Sequence, residues 1–427
     1  MPQTEVERAV HTVFRMESAR LIAGLTRMVR DVGLAEELAQ DALLAALEHW
    51  PQTGVPDNPG AWLMATGKRR AIDELRRGKR LNRKHEELGH VLESDALAER
   101  EGIAERIDEA LDDQVGDDLL RLLFIACHPV LSPEARVALT LRLLGGLTTD
   151  EIARAFLVPE PTVAQRIVRA KRTLAEEQVP FEVPRGPELG ARLSTVLGVI
   201  YLIFNEGYSA TAGDDWMRPG LCEDALRLGR ILAGLAPNEP EVHGLVALME
   251  IQASRSAARV GPSGEPILLL EQNRARWDQL LIRRGLAALG RAEELGGAMG
   301  TYALQAAIAA CHARARTADE TDWQRIAALY QVLANQTPSP VIELNRAVAV
   351  AMAFGPAQGL AIVDPLLKEP AMQAYHLLPS VRADFLEKLG RFEEARREFE
   401  RAASLTKNTR ERDVLLARAA SCLVKAT

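Results

Sequence analysis

Apolar residues recur along this chain at intervals of three and four, not two, which predicts helices and no sheet. Over residues 34–50, Leu34, Leu38, Ala42 and Ala45 fall on one helical face, and Asp31 stands where an N-cap belongs. Pro51, Gly54, Pro56, Asn58, Pro59 and Gly60 then predict a loop, and a second helix runs from about Ala61 into a basic block. A core-like pattern resumes over residues 119–126, and Ser132-Pro133 predicts a helix start. Thr148-Thr149-Asp150-Glu151 reads as a capping box before a short helix over 149–156. A turn at 157–160 and a longer helix from about Pro161 to Glu176 complete a helix-turn-helix pattern. On that longer helix Val163, Ile167, Ala170 and Leu174 form an inward stripe, and Thr162, Gln165, Arg166 and Arg169 occupy the opposite face.

Pro180, Pro184, Gly186 and Pro187 mark a boundary, beyond which the chain reads as helical to its end. Near the C-terminus, Gly390, Phe392, Ala395, Phe399 and Ala402 stand at tetratricopeptide (TPR) spacing. Gly355 lies 35 residues before Gly390, close to that repeat length, and Pro338 lies 17 before Gly355. The turn Pro237-x-x-Pro240 fits an earlier, decayed repeat.

Composition supports an all-α fold. Hydrophobic residues make up 47% of the 427 and charged residues 26%, which is globular and excludes disorder as the dominant state. Aromatics are only 4%, which favours helix over sheet. Apolar runs such as 196–204 fall short of the ~20 residues of a membrane span. The opening MPQTEVERAVHTVF lacks a signal peptide's basic and apolar regions, so a cytoplasmic protein with no membrane contact is expected. Cys127, Cys222, Cys311 and Cys422 stand singly, without zinc-ligand or disulfide spacing.

Net charge is −7, against a uniformly basic nucleic-acid binder, but the charge is blocked. Residues 68–84 carry nine basic side chains against Asp73 and Glu74. Residues 86–118 carry thirteen acidic ones against Arg100 and Arg106, and 162–172 carry four basic and none acidic. Blocks of opposite sign imply separate tasks.

The outward face at 162–172 suits a major groove. Gln165 can pair an adenine edge and Arg166 or Arg169 a guanine edge, while Lys171 and Arg172 can hold phosphates. The alternative is a solvated basic face. The arginines after Trp62 can neutralise phosphates or merely solvate a helix. Trp62 itself is either a core anchor or a platform for an unstacked base.

At this point the residues resemble a known pattern. DVGLAEELAQDALLAALEHW (31–50) followed by PGAWLMATGKRRAIDELRRGKR (59–80) is similar to region 2 of bacterial RNA polymerase sigma factors of the extracytoplasmic-function (ECF) group. LSPEARVALTLRLLGGLTTDEIARAFLVPEPTVAQRIVRAKRTL (131–174) resembles their region 4. The resemblance implies region 2 over 1–90, an acidic linker over 91–112, region 4 over 113–180 and a helical extension, TPR-like toward its end, over 185–427. It implies that Asp31, Glu36, Glu37, Gln40 and Asp41 dock on the polymerase, whose β′ clamp helices and β flap are the expected partners. It assigns the −10 element to Asn58, Trp62, Lys68, Arg69, Arg70, Arg76 and Arg77. The −35 element goes to Thr162, Gln165, Arg166, Arg169, Lys171 and Arg172. Arg69 stands where such factors often carry Asn, which leaves base choice at −10 open. The extension, with YLIFNEGY (201–208), resembles that of a subgroup with fused helical extensions. It is expected to regulate activity in cis, with a regulatory protein or peptide as a further partner.

No catalytic, cofactor or metal site is expected. Asn205-Glu206-Gly207-Tyr208 and Asp214-Asp215 invite an acid–base reading, but capping acids in a turn account for them. Cys127-His128 is weak evidence for a nucleophile or metal site, and no Walker-type phosphate loop appears. The competing functions are a helix-turn-helix regulator with a TPR sensor working without polymerase, and a TPR scaffold. Only a sigma factor needs the region-2-like half.

Overall fold

The computed structural model describes residues 5–86, 115–156, 158–185, 187–210, 217–261 and 265–426. The expected linker at 91–112 and the motif Gly213-Asp214-Asp215-Trp216 lie outside the described residues. Among the described residues the regular structure is helical, and the one pairing of extended backbone is an isolated bridge between Val260 and Pro266. The chain divides into two compact units, Met1–Ile200 and Tyr201–Thr427.

In the first unit α1 (Glu5–Val29), α2 (Val32–Thr53) and α3 (Pro59–Glu86) pack on one another around Leu21, Leu25, Leu38, Trp50 and Leu63. Asp31 caps α2 as its position predicts, accepting from the Leu34 N–H at 2.9 Å. The inward stripe is rotated from the expected one. Ala35, Leu38, Ala39, Ala42 and Ala46 are buried, while Leu34 and Ala45 are half-buried. The helix also runs through Pro51 rather than ending there. Pro51 sits in the last turn, where one lost hydrogen bond is outweighed by the burial of the neighbouring Trp50. Gly54, at φ +83°, ends α2 and leaves only residues 54–58 as loop. Asn58 then caps α3, accepting from the Ala61 N–H at 3.1 Å.

Four shorter helices follow: α4 (Val115–Ala126), α5 (Pro133–Leu143), α6 (Thr149–Phe156) and α7 (Glu160–Glu176). Ser132 caps α5. At α6 the capping box closes in both directions. The Thr148 N–H donates to Glu151 Oε2 at 2.8 Å and the Glu151 N–H to Thr148 Oγ1 at 3.2 Å. Val163, Ile167, Ala170 and Leu174 of α7 are all buried, as their spacing predicts, each large side chain contributing about 2 kcal/mol.

Helix α8 (Pro187–Tyr208) is longer and more apolar on average than its uninterrupted apolar runs suggest. By length and mean hydropathy, 1.2 over its best window, it is apolar enough to cross a membrane. Counting uninterrupted apolar runs missed it, because Arg192, Ser194 and Thr195 break the run without lowering the average far enough. Val196, Ile200, Ile203 and Phe204 are buried within the protein.

The second unit is a succession of helices packed on their chain neighbours: α9 (Pro219–Leu235), α10 (Pro240–Ala253), α11 (Gln279–Glu294), α12 (Thr301–Arg314), α13 (Trp323–Gln336), α14 (Pro340–Phe354), α15 (Pro356–Leu366), α16 (Leu377–Lys388), α17 (Phe392–Leu405) and α18 (Thr409–Ala426). Its C-terminal part is TPR-like. Gly355 (φ +105°) alone joins α14 to α15, and Gly390 (φ +74°) lies between α16 and α17, both in conformations that strain an L side chain. Ala395, Phe399 and Ala402 are fully buried in a core with Leu344, Val363 and Phe385.

Candidate nucleic-acid interface

Two basic surfaces arise from two helices of the first unit. On α7, with the apolar stripe turned inward, Gln165, Arg169 and Arg172 are exposed, and Thr162 and Arg166 are half-buried beside them. Arg172 pairs with Glu176, Nε to Oε1 2.6 Å, within its own helix. Exposed pairs of this kind are worth under about 1 kcal/mol and yield readily to a phosphate.

On α3, Trp62, Arg69 and Arg76 follow one another at seven-residue intervals and so share one edge. Trp62 is half-buried and meets Trp50 edge-on, ring centres 5.4 Å apart, so it is partly a core anchor and still partly accessible. Arg69 is exposed and Lys68 half-buried. Arg76 and Arg77 are exposed, paired loosely with Asp73 (3.9 Å) and Glu74 (3.2 Å). Arg70 reaches Asp41 of α2 at 2.8 Å. Asn58 is exposed at the helix start, its side chain committed to the cap.

The five residues expected to dock on polymerase are not presented together. Glu37 is exposed, but Asp31 caps α2, Asp41 holds Arg70, and the Gln40 amide donates to Glu36 Oε1 at 2.9 Å. Glu36 itself is 3% exposed. Its carboxylate accepts from Arg142 Nε of α5 at 2.6 Å and pairs with the ammonium of Lys171 on α7. Burial pushes the Glu36 carboxyl up, but the Lys171 and Arg142 charges and hydrogen bonds outweigh it and hold the group below its ordinary value. Thus Glu36 is not on an open docking face, and Lys171 is turned toward α2 instead of standing with the outward residues of α7.

A second buried acid repeats the arrangement. Asp118 of α4 is 2% exposed and lies 3.3 Å from Arg27 of α1 and 2.7 Å from Arg121. Between α1, α4 and the C-terminal end of α7 lies a cleft of about 650 Å³ with Arg27, Arg30, Asp31, Lys171, Gln178 and Glu182 on its walls.

Sequence reasoning missed Arg142. One signal was available: α5 buries Val137 through Leu141 and then Leu143, and Arg142 is the lone charge in that run. A charge there needs a partner, though nothing local names one 106 residues away. The four cysteines are buried, and burial pushes the Cys127 and Cys222 thiols up to about 12, which makes poor nucleophiles. Among the described residues no three His, Cys, Asp or Glu side chains are grouped to hold a metal.

Comparison with known proteins adds three matched segments. The family model "Sigma-70 region 2" matches residues 13–81, and "Sigma-70, region 4" matches 121–174. A family of unknown function, DUF6596, matches 192–293. Uncharacterized protein R00370 of Rhizobium meliloti is 43% identical, the alignment covering 91% of this chain and 90% of that protein. Probable ECF RNA polymerase sigma factor SigI of Mycobacterium tuberculosis is 26% identical over 41% of this chain and 57% of its own length. The solved structure of yeast Tom70 covers 99% of this chain and 85% of its own at TM-score 0.38 and 10% identity, too low to argue from.

Proposed function

We propose, starting from the fact that the chain belongs to the ECF group of RNA polymerase sigma factors and carries a fused helical extension, how each part serves promoter recognition. Residues 1–90 dock on core polymerase through α2 and receive the −10 element along the Trp62–Arg69–Arg76 edge. Residues 113–180 read the −35 duplex with Gln165, Arg166 and Arg169, helped by Thr162 and Arg172. Residues 91–112 link the two, and 185–427 regulate the factor in cis. The polymerase supplies the chemistry, which places the protein in the cytoplasm.

The observation that carries this reading is the pair of basic faces, on α3 and α7, within one chain. A simple regulator needs only the second. Flipping a −10 base out of the stack costs a few kcal/mol, and a half-accessible Trp62 beside Arg69 suits that capture. Docking through the β′ clamp helices requires Glu36, so Arg142 and Lys171 must first release it. That exchange frees Lys171 for the −35 phosphates in the same step. The closed pair therefore lowers promoter binding by the free chain until polymerase engages.

Run-off transcription with core polymerase and a promoter library tests the reading, comparing the full chain with residues 1–200, the first compact unit. Transcripts from one promoter class, appearing only when the chain is added, are expected. A different yield from the shorter form is expected if the extension acts in cis. Failure of both forms to support initiation while the full chain still shifts DNA would establish the helix-turn-helix regulator instead.

A further inference from the structure

The second unit gathers three arginines around two aromatic rings. Arg255 and Arg259 flank the short turn Ser256–Ala258 that follows α10, and Arg274 and Trp277 lie at the turn before α11. Helix α8 contributes Tyr208 and α12 contributes His312. Arg259 is 7% exposed, its guanidinium 3.6 Å from the centre of the Tyr208 ring. Arg255 lies 5.7 Å from both the Tyr208 and Trp277 ring centres and donates to the Tyr208 hydroxyl at 2.7 Å. Arg274 lies 4.9 Å from the Trp277 ring centre and donates to the Ala315 carbonyl at 2.8 Å and the Thr321 hydroxyl at 2.9 Å. The hydrogen-bond partners of Arg255 and Arg274 are neutral. Among the described residues no carboxylate lies within ion-pair distance of Arg255 or Arg274, both of which are half-buried.

Unmade hydrogen bonds concentrate at the same place. Of the eleven buried side-chain atoms that make no hydrogen bond among the described residues, four are Arg255 Nε, Arg274 Nε, Trp277 Nε1 and His312 Nδ1. Trp277 is 3% and His312 8% exposed, so water does not readily serve them. The arginine and indole nitrogens can only donate. His312 is held neutral, its pKa lowered to about 3 by burial and by Arg255 and Arg274, so its ring can present either a donor or an acceptor. What this cluster lacks is a set of acceptors carrying negative charge.

We propose that Arg255, Arg274, Trp277 and His312 form a binding site for a small organic oxyanion, a molecule bearing a carboxylate or phosphate group. The guanidinium fork matches either group, and the Trp277 ring walls the site. Deep burial of Trp277 and His312 excludes a polymer backbone and selects a small molecule. The site lies within the segment matched by the family of unknown function, except for His312, and does not depend on the sigma-factor assignment.

The test uses the full chain without polymerase or DNA. Citrate and inorganic phosphate are titrated against chloride at matched ionic strength, following thermal midpoint and tryptophan fluorescence. A saturable rise in midpoint with citrate alone assigns a carboxylate ligand, with phosphate alone a phosphate ligand, and with both the shared chemistry. Arg255→Gln with Arg274→Gln is expected to raise the half-saturating concentration at least about tenfold. Should that variant fail to fold, Arg274→Lys decides: it keeps the charge but removes the guanidinium fork, and is expected to raise the half-saturating concentration. No saturable shift with either anion, or unchanged saturation in whichever of the two variants folds, overturns the proposal.

Discussion

The two units bury charge in opposite ways. In the first, one carboxylate, Glu36, is enclosed by two cations, Arg142 and Lys171. In the second, the half-buried Arg255 and Arg274 converge on Trp277 with neutral hydrogen-bond partners. A satisfied buried cluster is a fastening: any partner that needs one of its members must displace the others. A cluster with unmet donors can accept charge of the missing sign. The same physics, the cost of desolvating an ion, thus describes a contact to be opened and a site to be filled.

The sharpest way to break this contrast is Arg142→Ala. It leaves Glu36 buried beside Lys171 alone, and a loss of about 3 kcal/mol is expected in denaturant unfolding of the first unit. The same variant should bind core polymerase more tightly, since Arg142 is assigned to no polymerase or DNA contact. Because the Glu36 pKa is lowered on folding, its contribution is fully present above its ordinary value of 4.5 and fades as pH falls through the folded value. The stability gap between the wild type and Glu36→Gln should therefore close in acid. A gap that widens there contradicts the pairing.

Next in size is a comparison within α7. Arg169→Ala should cost about 2 kcal/mol of discrimination at one −35 base pair in binding assays with holoenzyme. Lys171→Ala should leave base preference unchanged and instead loosen the contact between α2 and α7. Equal effects of the two on base preference would show that Lys171 faces the bases.

The smallest effect belongs to the second unit. Arg255→Met removes a cation that has no described carboxylate partner, and stability in anion-free buffer should change by less than about 1 kcal/mol, against the much larger loss at Arg142. A loss as large as that of Arg142→Ala would mean that the cluster is already neutralised.

Much of the region-4 surface was legible in sequence because its causes are local. The Thr148–Glu151 box spans four residues, and the stripe Val163, Ile167, Ala170 and Leu174 has a period that only a helix satisfies. The α2 boundary was less legible. Pro51 reads as a breaker, yet tertiary burial of Trp50 carries the helix one turn further. The acidic residues of α2 carried no mark of their separate fates. Glu36 and Glu37 are neighbours in sequence, one buried in an ion cluster and the other exposed.

By itself the sequence determined an all-helical chain, the positions of its caps and glycine turns, and the residue types on the outward faces of α3 and α7. Those follow from backbone preference and helical period, which act over a few residues. Tertiary structure alone decided that Glu36 meets Arg142 and Lys171, and that Tyr208, Arg255, Arg274, Trp277 and His312 gather in one place. Charges separated by up to 135 positions find one another only when packing removes the water between them, and no local pattern encodes that distance.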